Sequence, residues 1–88
     1  MSVIKRIVLD VLKPLHPDVL EFASTLADQH NGCRVKIIVT EVDQKTESTV
    51  VVLDGEDIPY AEVVATINGL GASVHSIDEV EVAGNSQQ

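Results

Sequence analysis

Aromatic side chains are nearly missing from this chain: Phe22 and Tyr60 stand alone, and there is no tryptophan. A core must then be built from Val, Ile, Leu and Ala. No row of ring faces is available for stacking on unpaired bases. Positive charge is also scarce. Six basic residues face 14 acidic ones, for a formal net charge of −8. Phosphate backbones need a basic surface, so no nucleic-acid partner is expected. An acidic surface favours cations or basic partners, and it also keeps a small chain in solution. Cysteine occurs once, at Cys33. That excludes a disulfide framework within the chain and fits a reducing cytoplasm. The thiol reads as a small apolar group near a strand start. No apolar run approaches the ~20 residues of a membrane helix. Charges interrupt "MSVIKRIVLDVLK" too early for a secretory signal. The expected location is therefore cytoplasmic, with no membrane partner. A Gly-rich phosphate loop is missing too: "GLGA" at 69–72 leads from a helix into a strand, the reverse of a dinucleotide fingerprint.

What the chain does have is alternation. Its 88 residues suffice for one domain with a modest core. "VIKRIVLDVLK" (3–13) sets Ile7, Leu9 and Val11 against Arg6, Val8 and Asp10, the pattern of a strand. "PLHP" ends it. A helix is predicted next, with Pro17 at its first position and Asp18 complementing the dipole. Its apolar face reads Val19, Leu20, Phe22, Ala23, Leu26 and Ala27, and Asn31-Gly32 stops it. A second strand covers 33–43, Gln44-Lys45 makes a tight connection, and a third strand covers 46–54. "GEDIP" opens a second helix, with Asp57 as N-cap, and its buried face runs from Tyr60 to Leu70. "ASVHSIDEVEVA" (72–83) is the fourth strand.

The order βαββαβ predicts an α+β, ferredoxin-like domain over residues 1–84, with a polar tail at 85–88. The four-stranded antiparallel sheet should run in the order 4-1-3-2, with both helices on one face. Strict alternation would place Ile4, Val8, Leu12, Ile38 and Val42 on the uncovered face. An apolar face of that kind implies homo-oligomerisation.

Polar residues cluster in "HSIDE". Alternation sends His75 and Ser76 to opposite faces, which excludes a Ser–His nucleophile pair unless a bulge intervenes. Ser76 and Asp78 share a face. Pairing strands 1 and 4 by their centres brings Asp10 opposite Ser76 and diagonal to Asp78. Two carboxylates so placed repel unless a cation or basic group lies between them. Oxygen donors of this kind suit calcium or magnesium, with water or a second subunit completing the set. The alternative for these carboxylates is hydrogen bonding to backbone or to a neighbouring subunit. A second acidic group, Glu41, Asp43 and Glu47, surrounds the hairpin between strands 2 and 3. Lys13, His16 and His75 are expected to approach that end of the sheet.

Taken together, "RIVLDVLKPLHP", "EVDQKTE" and "VHSIDEVEVAG" make the chain resemble the archaeal family called domain of unknown function 211. The likeness runs through essentially the whole chain. It implies a ferredoxin-like domain of a cytoplasmic archaeal protein that self-associates, plausibly in a ring. It marks Asp10, Lys13, His16, Glu41, Asp43, Thr46, His75, Ser76 and Asp78 as the positions that match family motifs. No activity comes with the resemblance. Two functions are left open. One is a non-enzymatic binding or regulatory module that takes a divalent cation or small ligand at the acidic positions. The other is a metal-dependent enzyme with an inter-subunit site, Asp10 and Asp78 holding the metal and His16 or His75 shuttling a proton.

Overall fold

A computed structural model of the chain describes residues 2–84; the tail expected at 85–88 lies outside them. The elements are β1 (Ser2–Pro14), α1 (Val19–Gln29), β2 (Arg34–Val42), β3 (Thr46–Asp54), α2 (Tyr60–Gly69) and β4 (Ser73–Gly84). The strands form one sheet in the order β2-β3-β1-β4, with every neighbouring pair antiparallel. Ile7, Leu9 and Val11 of β1 and Val51 and Leu53 of β3 are buried against Phe22 and Leu26 of α1 and Val63 and Ile67 of α2. Both helices therefore lie on one face. The molecule is elongated, 52 × 23 × 17 Å, because the two longest strands, β1 and β4, run side by side.

The helix starts differ from expectation. Asp18, not Pro17, opens α1: it is the N-cap, and its Oδ1 accepts from Glu21 N–H at 2.8 Å. A short carboxylate satisfies an otherwise orphaned amide better than a proline in the first turn can. Asp57 does not cap α2, which begins at Tyr60 after Pro59 with no side-chain cap. Leu20 is 74% exposed. It lies two residues, or about 200° of helix rotation, from buried Phe22 and so faces away from the sheet. At the other end of α1, Gly32 takes φ +91°, where a side chain would be strained.

Two of the five residues expected on the uncovered face are not there. Ile4 packs against the helix-side core. The β1–β4 register shifts between Ile4 and Arg6, leaving Lys5 as an extra residue. Such a bulge reverses the facing of everything beyond it. The freed carbonyls are used: Gly55 N–H donates to Lys5 O and Ile58 N–H to Ile4 O. A second shift lies between Val39 and Glu41, where Thr40 Oγ1 donates to Ser48 O. Val42 then pairs with Glu47, on the helix side. Val8, Leu12 and Ile38 do share the uncovered face, but Arg6, Asp10, Lys36 and Glu79 are interleaved with them. The face is mixed, not apolar.

Lys13 is fully buried beneath the β1–α1 loop. Its Nζ donates to Pro14 O at 2.7 Å and to Pro17 O, and it lies 5.9 Å from the centroid of the Phe22 ring. Glu47 Oε1 is 2.8 Å from the same Nζ. That oxygen is buried and has no directed hydrogen bond. The pair is thus held by charge at short range, outside hydrogen-bond angles. A lone buried carboxylate is far costlier than a buried pair. Lys13→Met should therefore cost about 3–5 kcal/mol in urea unfolding. Lys13→Met combined with Glu47→Met should recover most of that loss. A single variant as stable as wild type would show that the pair contributes nothing.

Candidate functional site

The region around "HSIDE" is shaped by two further bulges. β1 and β4 pair Val8 with Glu79 and then Leu9 with Ile77, passing over Asp78. They pair Asp10 with Ser76 and then Val11 with Val74, passing over His75. Asp10 is thus opposite Ser76, the register read from the strand centres. A bulge turns the extra side chain toward the face of its neighbour. His75 accordingly lines a shallow depression of about 420 Å³ together with Asp10, Leu12, Ser48, Ser73 and Val74. Strict alternation predicts His75 on the face opposite Asp10, and the bulge sets it beside Asp10 instead. Ser76 Oγ donates to Asp78 Oδ1 at 2.7 Å. One hydrogen-bond demand of Asp78 is thereby met by its own strand, and its second oxygen carries no protein hydrogen bond among the described residues.

The other candidates disperse. Lys13 and His75 lie on opposite faces of the sheet, and Glu47 follows Lys13 to the helix side. His16 is exposed in the loop after β1. Glu41 pairs with Ser48 at the open side of the β2–β3 hairpin. Asp43 shapes the turn: its N–H donates to Thr46 O, and its Oδ1 accepts from Gln44 N–H. Thr46 begins β3 opposite Pro14. Lys13 lies beneath the loop that carries His16, its Nζ bonded to the carbonyls of Pro14 and Pro17, and the sheet separates it from His75. Burial of the ammonium against carbonyl groups removed Lys13 from the surface. Among the described residues, no group of three or more His, Cys, Asp and Glu side chains is disposed to hold a metal ion by itself. No helix among them is long and apolar enough to cross a membrane.

Three arrangements were not legible beforehand. Arg6 reaches across the open face, its Nη1 to both oxygens of Asp54 at 3.1 Å and its Nε to Glu79 Oε2 at 2.7 Å. Glu79 first and Asp54 second hold the guanidinium pKa above its ordinary value. Opposite charges on strands far apart in sequence carry no local signal. His30 is buried, with Nε2 3.0 Å from Thr66 Oγ1. The Thr66 hydroxyl donates its one proton to Glu62 O, so His30 Nε2 must be the donor to Thr66. This chain ties the end of α1 to α2, and nothing in "DQHNG" announces it. Thr49 is buried on the helix side and donates to Val11 O at 2.7 Å; a threonine within an apolar strand run reads as exposed.

Cys33 is half-buried, and desolvation pushes its thiol above the ordinary 9.0. Burial disfavours the thiolate, which is the reactive form. The thiol's contribution to stability is intact below pH 9.0 and is lost as pH rises through the higher folded value. Alkylation of the native protein should be slow at pH 8, with a rate profile displaced upward from that of the urea-unfolded chain. Coincident profiles would show that Cys33 is not desolvated.

A family model described as uncharacterised ArCR, domain of unknown function 211, matches residues 5–87. An uncharacterised protein of Methanocaldococcus jannaschii is 43% identical over 84 residues, covering 96% of this chain and 86% of that protein. The chain belongs to this family of uncharacterised ArCR proteins.

Proposed function

For a member of a family whose description names no activity, we propose a non-enzymatic binding or regulatory module that self-associates. It holds a divalent cation or small polar ligand at Asp10, Ser76 and Asp78, on a ferredoxin-like frame. The observation that supports this most is the pair of bulges flanking Ser76 and Ile77 in β4. Regular pairing would be cheaper, and bulges are found where a strand must re-aim a side chain. Here they gather His75, Ser76 and Asp78 on the face of Asp10. Two carboxylates and a hydroxyl suit calcium or magnesium, and water or a second copy supplies the remaining oxygens. The depression is shallow, whereas catalysis gains most where water is excluded.

Calcium or magnesium at ~100-fold excess over Kd should raise the Tm by roughly 10–20 °C. Asp78→Asn should abolish that rise while keeping its Ser76 contact. Metal analysis of untagged protein checks occupancy directly. Equal stabilisation of wild type and Asp78→Asn would remove the cation from this site. Ester and phosphoester substrates should give no turnover. Hydrolysis lost in His75→Ala would instead establish an enzyme.

A further inference from the structure

The sheet ends on two unlike edges. β2 and β4 each have a single neighbour, so each leaves a row of backbone N–H and C=O groups unpaired within the sheet. The strands run in opposite directions, which puts the start of β2 and the end of β4 at the same end of the sheet. On the face away from the helices, that part of β2 carries Arg34 and Lys36, and that part of β4 carries Glu79 and Glu81. Arg34, Lys36 and Glu81 make no ion pair among the described residues. On the helix side β4 shares its facing with Leu9 and Ile7 through Ile77 and Val80, which are 51% and 54% exposed. Val35 and Ile37 occupy the same side of β2 and are only partly buried.

We propose that the β2 edge of one copy pairs antiparallel with the β4 edge of a second copy, continuing the sheet from molecule to molecule. The facing residues match in one register. Arg34 comes opposite Glu81 and Lys36 opposite Glu79 on the open face, while Val35 meets Val80 on the helix side. Asp78 is passed over, just as β1 passes over it, and Ile37 then meets Ile77. Cation meets carboxylate and apolar meets apolar. Two β4 edges would instead oppose Glu79 and Glu81 to like charge, and two β2 edges would oppose Arg34 and Lys36. The contact is therefore between different surfaces, and each copy has one of each. This inference rests on the self-association in the proposed function and names the surface that carries it.

Sedimentation of the untagged chain at micromolar concentration tests it, with Arg34→Glu, Glu81→Lys and a one-to-one mixture of the two. Each single variant should associate about tenfold more weakly than wild type. The mixture should recover association, because the carboxylate introduced into β2 of one variant then faces the ammonium introduced into β4 of the other. Arg34→Gln and Glu81→Gln, which add no repulsion within the fold, should each weaken association by a few-fold and serve if a reversal unfolds the chain. Wild-type association unchanged in all four variants, or no recovery on mixing, overturns this interface while leaving self-association standing. A monomeric wild type overturns both.

Discussion

A buried ammonium group sets the terms for one end of this fold. Lys13 has no exposed surface, so every proton on Nζ must find a partner inside the protein. The partners come from three places: the end of β1, the loop at Pro17, and Glu47 at the start of β3. To supply them, the loop must fold back over the strand. That return places Asp18 to cap α1 and seats Phe22 beneath the charge. It also brings Leu15 N–H to Lys45 O, fastening the loop to the β2–β3 hairpin. Loss of the charge would leave Glu47 stranded, and the same segments would lose their common anchor.

The burial of Lys13 has an electrostatic consequence on the other face. One of six cations is spent inside the molecule, and Arg6 is taken up by Asp54 and Glu79. Asp10 and Asp78 make no ion pair among the described residues. The acidic strip on β4 and the basic start of β2 arise from the same uneven distribution. A small sheet protein with a single layer of helices has few other ways to arrange an excess of carboxylates.

The departures from regular pairing reshape the edge of the sheet. Each bulge adds one residue, twists its strand and changes which side chains share a face. In β1 the extra Lys5 is stabilised by amides of the β3–α2 loop. In β4, His75 and Asp78 bracket Ser76 and Ile77; Ser76 pairs with Asp10, and His75 lines the depression beside it. The same strand exposes Ile77 and Val80 on its other side, beyond the cover of α2.

The chain by itself determined the element order, the antiparallel sheet and the helix-facing set of Ile7, Leu9, Val11, Phe22, Leu26, Val63 and Ile67. Those properties rest on period and turn chemistry, which are local. The pairing of Asp10 with Ser76 was legible as well, because two strands of similar length align by their centres. Only the tertiary structure decided where alternation breaks. The facing of Ile4 depends on Gly55 and Ile58, far along the chain, and that of Val42 on the extra residue Thr40, whose hydroxyl donates to Ser48 O. The inward turn of Lys13 depends on carbonyls that converge only after the loop has closed, and the His30–Thr66–Glu62 chain on two helices packing together. A bulge or a buried charge is held by partners distant in sequence, so no local pattern can specify it.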